Sequence, residues 1–184
     1  MTIQTLKKIN FDSILKLALE CFSDDPYYNY IFRKEVNKES KMKEMFTHAI
    51  NYCLLYGYCL GAFIDDNLVG FVLTFNYNKT KNVHNKDFCK IFGINNYDEM
   101  NPIIKNVANN LKGDIIYLLS IGVQNKFCRK GIATILVETL KNKNKGKNII
   151  SDVDNMKSLP MYHKLGFREI PLAKHYILVV YDNI

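Results

Sequence analysis

The 184 residues contain no tryptophan, only three arginines (Arg33, Arg129 and Arg168) and only four prolines. Neither those prolines nor the nine glycines gather into a linker, and no internal repeat is present, so one domain spanning 1–184 is expected. No stretch approaches the roughly 18 consecutive apolar residues of a membrane-spanning helix. The opening residues Met1 to Asn10 lack the apolar run behind basic residues that marks a secretory signal. Cysteine is scarce and oddly numbered: Cys21, Cys53, Cys59, Cys89 and Cys128 contain no Cys-x-x-Cys pair, which excludes a regular disulfide framework. A reducing, cytoplasmic setting fits best. His48, His84, His163 and His175 are scattered without ligand spacing, so no metal site is expected.

What is present is a hydrophobic fraction of 48%, enough for a substantial core, and a net charge of +7. The charge is local. Residues 101–148 hold nine basic and two acidic side chains, whereas acids and bases balance on either side of that stretch. A basic excess of this size is compatible with a plain solvated surface, or with an anionic ligand.

Periodicity outlines the elements. Thr2–Lys8 suits a first strand, and Phe11, Ile14, Leu15, Leu17, Ala18 and Cys21 fall at helical spacing, predicting a helix over Phe11–Phe22. Asp24-Asp25-Pro26 ends it. Met42, Met45, Phe46, Ala49, Ile50, Cys53 and Leu54 predict a second helix, with Gly57 as its stop. Tyr58–Ile64 and Leu68–Phe75 read as a hairpin turned at Asp65-Asp66-Asn67. Residues 77–113 suit a loop with one or two helices around Phe88–Phe92 and Ile103–Leu111. Ile115–Val123 is a long apolar strand, Gly131–Leu140 a helix, Asn148–Val153 a strand and Tyr162–Leu165 a short helix; Phe167–Ile170 and His175–Tyr181 close the chain as strands. The sum is an α/β fold on a mixed sheet.

The chemistry concentrates in Ser120-Ile121-Gly122-Val123-Gln124-Asn125-Lys126-Phe127-Cys128-Arg129-Lys130-Gly131-Ile132-Ala133-Thr134. It passes from a buried strand through a basic turn into a helix that starts with small residues. Unpaired N–H groups and the positive end of the dipole make such a helix start a phosphate site, and Gly131 and Ala133 leave room for backbone approach. Lys126, Arg129 and Lys130 add charge at the same place. Neither the Gly-x4-Gly-Lys-Ser/Thr loop nor Gly-x-Gly-x-x-Gly occurs, which sets aside the two commonest nucleotide motifs.

This unit resembles the acyl-CoA signature of the Gcn5-related N-acetyltransferases (GNAT), V-x-x-x-x-R/Q-x-x-G-x-G/A between a strand and a helix. Val123, Gly131 and Ala133 stand at the matching spacing; the position usually Arg or Gln is Cys128, with Arg129 next to it. A second match follows about 30 residues on: Asn155, Ser158, Tyr162, Leu165, Gly166 and Phe167 fit the family pattern of Asn, a small residue, Tyr at the seventh position after Asn, and a Leu-Gly-Phe ending. The resemblance covers 114–182 in detail and 1–113 in architecture. It implies a mostly antiparallel mixed sheet of about six to seven strands flanked by helices, with an acceptor half over about 1–113 and an acyl-CoA half over about 114–184.

The resemblance also implies roles. Backbone at Ile121 and Val123, with Gly122 between them, would bind the pantetheine arm; Cys128, Arg129, Lys130, Gly131, Ile132, Ala133 and Thr134 would hold the diphosphate; Asn155 and Ser158 would contact the cofactor. Tyr162 would act as the acid that protonates the departing CoA thiolate. A phenol, with a usual pKa near 10, is able to do so. Pro160 is tolerated only in the first turn of a helix, so that helix should start near Ser158, a good N-cap, and end at Gly166. The base is open among Tyr117, Ser120, Asp24, Asp25 and water alone. Tyr27, Tyr28, Tyr30 and Phe32 either line an acceptor pocket or pack under the second helix. Phe22, Asp25-Pro26 and the later Leu-Pro-x-Tyr are similar to the branch of puromycin-type drug acetyltransferases, but no substrate is carried over from it.

The expected activity is acetyl transfer from acetyl-CoA to a primary amine of a small molecule or peptide, by a monomer or homodimer with no membrane or nucleic-acid partner. A non-catalytic acyl-CoA sensor of the same fold is the alternative, motivated by Cys128 and the open base. Nucleic-acid binding, suggested by a pI near 9.0 and the lysines of 141–147, lacks aromatic interleaving or a binding motif.

Overall fold

The computed structural model of the protein describes residues 1–80, 94–173 and 176–183. The elements run β1 (Thr2–Thr5), α1 (Phe11–Phe22), α2 (Pro26–Ile31), α3 (Lys38–Tyr56), β2 (Leu60–Ile64), β3 (Asn67–Asn76), α4 (Tyr77–Thr80), α5 (Ile94–Asn110), β4 (Ile115–Val123), α6 (Ile132–Lys143), β5 (Asn148–Val153), α7 (Leu159–Lys164), β6 (Arg168–Ala173) and β7 (Tyr176–Tyr181). The strands form one seven-stranded sheet in the order β1-β2-β3-β4-β5-β7-β6. Every neighbouring pair is antiparallel except β4 and β5, whose parallel pairing is bridged by α6 as a crossover.

Two cores lie on opposite faces of the sheet. On one, α1 and α3 bury Ile14, Leu17, Met42, Phe46 and Ile50 against Phe71, Tyr117 and Ile150. On the other, Ile132, Leu136 and Leu140 of α6 and Tyr162 of α7 pack against Val72, Ile116, Ile149 and Val179. Ile149 and Ile150 each serve a different core, which is the alternation a strand imposes and the reason these central strands read as unbroken apolar runs.

The limits of α1, β4 and β5 agree with the periodicity. Elsewhere the chain differs. Asp25-Pro26 ends α1 but starts α2: Asp25 Oδ1 accepts from Tyr27 N at 2.9 Å and Pro26 occupies the first turn, so the breaker of one helix caps the next. The hairpin turn is tighter than three residues, since Asp65 and Asp66 alone make it, both at positive φ (47° and 60°). Gly57 stops α3 without the left-handed cap anticipated from its position; its φ is −129°. Glycine is required there for a different reason, since a Cβ would lie 1.5 Å from the Thr74 carbonyl oxygen. Ser158 precedes α7, but its hydroxyl donates to the Asn155 carbonyl instead of capping the helix. Residues 94–110 form one helix, longer than Ile103–Leu111, while Phe88–Phe92 lies outside the described residues.

Candidate active site

The site originates in a defect of the sheet. Among the described residues β4 and β5 pair only over Ile115–Tyr117 and Asn148–Ile150, yet both strands continue past this point. β4 carries a bulge there: Leu73 faces Ser120 while Thr74 faces Leu118, leaving Leu119 extra. A bulge advances the side-chain phase by one residue. Tyr117 accordingly belongs to the α1–α3 face, and so does the position of Gly122, five residues on, where a Cβ would strike the Phe71 ring at 2.7 Å. The bend opens a wedge between the strands. Ser151 sits at its apex, donating from Oγ to the Leu118 carbonyl at 2.9 Å. Beyond it, the β4 edge toward Val123 has no ladder partner on the β5 side among the described residues.

The wedge widens into a cavity of about 930 Å³, including its mouth. β4 contributes Leu118 to Ile121, β5 and the following turn contribute Ser151 to Asn155, and Ser158 and Tyr162 close one side. Phe22, Asp25, Tyr27 and Tyr28 enter from α1 and α2, and Met45, Phe46 and Ala49 from α3. The aromatic cluster divides between the two expected roles. Tyr28 packs on Phe22 and Phe46 while also lining the cavity, Tyr27 lines it, Phe32 packs against the core, and Tyr30 is exposed beneath the Arg33 guanidinium. Lys38 Nζ holds α2 in place by donating to the Ser23 carbonyl and Asn29 Oδ1.

Among the described residues the carboxylates of the lining are Asp25, Asp152 and Asp154, and no Lys, Arg or His lines the cavity. The Tyr117 hydroxyl donates to Asp152 Oδ1 at 2.6 Å. Burial drives the Asp152 pKa upward, with the Tyr117 hydrogen bond opposing it, and burial and the Asp152 charge hold the Tyr117 phenol well above its usual range. Asp154 stands at the rim. Desolvation first, then the charges of Asp25 and Asp152, raise its pKa to about 6. Neither Asp152 nor Asp154 is among the residues singled out from sequence. The signal was present as Asp-x-Asp where an apolar strand ends, with Asp152 in the strand and Asp154 just past it.

Tyr162 approaches from the other face. It is 2% exposed, its ring meets Phe167 edge-on at 5.2 Å, and burial raises its pKa to about 12, the nearby Ser151 hydroxyl acting in the opposite sense. The phenol therefore keeps its proton throughout the neutral range. Asn155 and Ser158 build the turn that presents it: Asn155 Oδ1 accepts from Lys157 N, and Ser158 Oγ donates to the Asn155 carbonyl.

Of the residues named from sequence, Asp25, Ser120, Ile121, Asn155, Ser158 and Tyr162 meet in the cavity. Asp24 does not line it, and Tyr117 sits behind Asp152. Gly122 points its missing side chain at the core, so its smallness serves packing. Residues 128–134 lie apart from the cavity, where β4 hands over to α6. Cys128 is exposed and its thiol turns back to the Val123 and Gln124 carbonyls at 3.5 and 3.7 Å, closing the turn. Arg129 and Gly131 both have positive φ (61° and 80°), which folds the loop so that the first N–H groups of α6, at Ile132, Ala133 and Thr134, face outward without helical partners. Lys126 and Lys130 gather over the Phe127 ring at 5.1 and 5.2 Å. A wedge with an unpaired strand edge, leading to a cation-rich helix start, suits an extended thioester ending in phosphates.

Comparison with known proteins agrees with this geometry. A sequence profile described as "Acetyltransferase (GNAT) family" matches residues 11–167. No curated sequence matches the chain significantly. Among solved structures, "histone acetyltransferase HPA2 and related acetyltransferase" from Corynebacterium glutamicum superposes with a TM-score of 0.67 at 15% identity, covering 98% of this chain and 94% of that one. Arylalkylamine N-acetyltransferase 2 from Aedes aegypti gives 0.67 at 18% identity, over 97% and 96% of the two chains. The paia N-acetyltransferase from Thermoplasma acidophilum, in complex with coenzyme A, gives 0.58 at 16% identity over 99% of each. At these identities the superpositions speak for the fold, whereas the profile match spans most of the sequence: the chain belongs to the GNAT acetyltransferase family.

Proposed function

We propose that the protein transfers an acetyl group from acetyl-CoA to a primary amine by direct attack on the thioester, with Tyr162 as the acid. The observation that carries this reading is the wedge between β4 and β5, which joins a buried, protonated phenol on one face to a carboxylate-lined, aromatic-walled cavity on the other. In this reading the backbone at Ile121 and Val123, beyond the stretch that β5 pairs, takes the pantetheine amides. Cys128, Arg129 and Lys130 with the α6 start from Gly131 to Thr134 take the diphosphate, and Asn155 and Ser158 border the thioester. The thioester carbonyl carbon gains a bond to nitrogen and loses its bond to sulfur, and the thiolate takes the Tyr162 proton. Three carboxylates without a cation suit an acceptor that arrives as an ammonium ion.

The test is release of CoA thiol with a panel of primary amines, for the wild-type protein and Tyr162→Phe. Wild-type release that depends on an amine is expected, with kcat falling about 100-fold or more in the variant and acetyl-CoA affinity holding. Unchanged turnover in Tyr162→Phe would remove that residue from the mechanism. Acetyl-CoA binding without turnover by any amine would make the protein a sensor.

A further inference from the structure

Tyr162 supplies an acid, and none of the residues singled out from sequence supplies its counterpart. Tyr117 donates its own proton to Asp152, Asp25 caps α2, Asp24 is outside the cavity, and Ser120 offers only a hydroxyl, too weak a base to hold an ammonium's proton. Geometry leaves the end of β5. Asp152 reaches the α1–α3 face, where it meets Tyr117, Asp154 follows just past the end of the strand, and both line the cavity that Tyr162 borders from the α6–α7 face. The two carboxylates are not equivalent. Asp152 is half-buried and tied to the Tyr117 hydroxyl, whereas Asp154 borders the cavity and is exposed. Of the two, Asp154 has the more open route by which a captured proton leaves after each cycle.

We propose that Asp154 is the general base, taking a proton from the acceptor's ammonium group at the cavity mouth, with the Tyr117–Asp152 pair as positioning residues behind it. This rests on the acetyl-transfer reading above. The protons balance: an ammonium with three gives one to Asp154, which passes it to solvent. It gives a second after nitrogen attacks the carbonyl carbon, and that proton restores Tyr162 once Tyr162 has protonated the thiolate. The third stays on the amide nitrogen.

The charged and titratable groups that face Asp154 are Asp25 at the start of α2, Asp152 on β5 and Tyr162 on α7, with Tyr27 and Tyr117 farther in. Desolvation first, then the charges of Asp25 and Asp152, favour its protonated form and raise its pKa to about 6.

The experiment measures kcat/KM from pH 5 to 9 for wild type, Asp154→Asn, Asp154→Glu and Asp152→Asn, using an amine from the panel that wild type acetylates, with the acetyl-CoA dissociation constant determined for each. Wild type is expected to lose about tenfold per pH unit below about 6. Asp154→Asn should lose about 100- to 10,000-fold at pH 7, with no inflection near 6, and its deficit should shrink as pH approaches the amine's own pKa. Acetyl-CoA affinity should stay within about twofold. Asp154→Glu should restore an acid limb, and Asp152→Asn should lower kcat while keeping one. A wild-type limb retained in Asp154→Asn overturns the base assignment and leaves acetyl transfer standing. A wild-type protein that acetylates no amine overturns the acetyl-transfer reading, and the base with it.

Discussion

Gly57 shows how a single residue serves a purpose other than its obvious one. It follows a helix, as stop glycines do, yet it needs no left-handed backbone; it needs the absence of a Cβ, because the Thr74 carbonyl occupies that space. Both sides of the clash are backbone, so no side chain can swing away. Gly57→Ala should force α3 away from β3 and lower stability by about 3 kcal/mol or more, above the usual cost of overpacking, seen as a lower urea midpoint at unchanged slope. Cys128 makes a related point. Its side chain closes the turn through the Val123 and Gln124 carbonyls, so the departure from Arg or Gln leaves the loop geometry supported. Reading residue types along the chain identifies such positions but does not reveal which neighbour makes them necessary.

At the scale of elements, the α6 start and the β4–β5 wedge behave differently. The α6 start is a local feature. Gly131 has a φ of 80° with no atom within 4 Å of where a Cβ would be, so its requirement is conformational alone. Gly113 is alike in both respects (φ 83°, open space) but remote from the loop. Gly131→Ala and Gly113→Ala should each cost about 1 kcal/mol of stability for holding a left-handed alanine, and only Gly131→Ala should weaken acetyl-CoA binding. Equal acetyl-CoA affinity in the two variants, measured by calorimetry, would separate the loop from the phosphates. The wedge, by contrast, requires two strands distant in sequence. Ile115–Val123 and Asn148–Val153 are both legible as strands from their apolar runs, but nothing in either run says that pairing stops at Tyr117 and Ile150. The Leu119 bulge, which shifts the β4 side-chain phase, leaves the apolar run unbroken.

Across the whole molecule, charge is segregated. The basic excess of 101–148 includes the loop before α6, where Lys126 and Lys130 gather over Phe127, while the cavity lining holds carboxylates and no cation among the described residues. Crowding those carboxylates has a consequence for stability. The folded protein holds Asp154 at about 6 against the ordinary 3.8, so between those values the native state binds more protons than the unfolded chain. The contribution of this group is therefore complete below about pH 4 and is lost as pH rises through about 6. Asp154→Asn should melt a few degrees higher than wild type at pH 8, and the difference should vanish at pH 4. A variant that melts lower at pH 8 would mean that the carboxylate is held by a favourable partner.

The amino-acid sequence by itself determined the class of fold, the order of its principal elements, the strand-to-helix loop around Gly131 and the Asn155-to-Phe167 segment carrying Tyr162. These depend on periodicity and on residues with narrow local preferences, such as Gly131 at positive φ and Pro160 in a first turn, and local preference is written along the chain. Only the tertiary structure decided that β4 and β5 part at Ser151, that Tyr27 and Tyr28 but not Tyr30 reach the cavity, and that Asp152 and Asp154 share it with Tyr162. Those outcomes depend on which residues distant in sequence share a face and how completely they exclude water. Asp152, near the end of an apolar strand, is pushed toward its protonated form by burial, and that burial exists only once the sheet has formed.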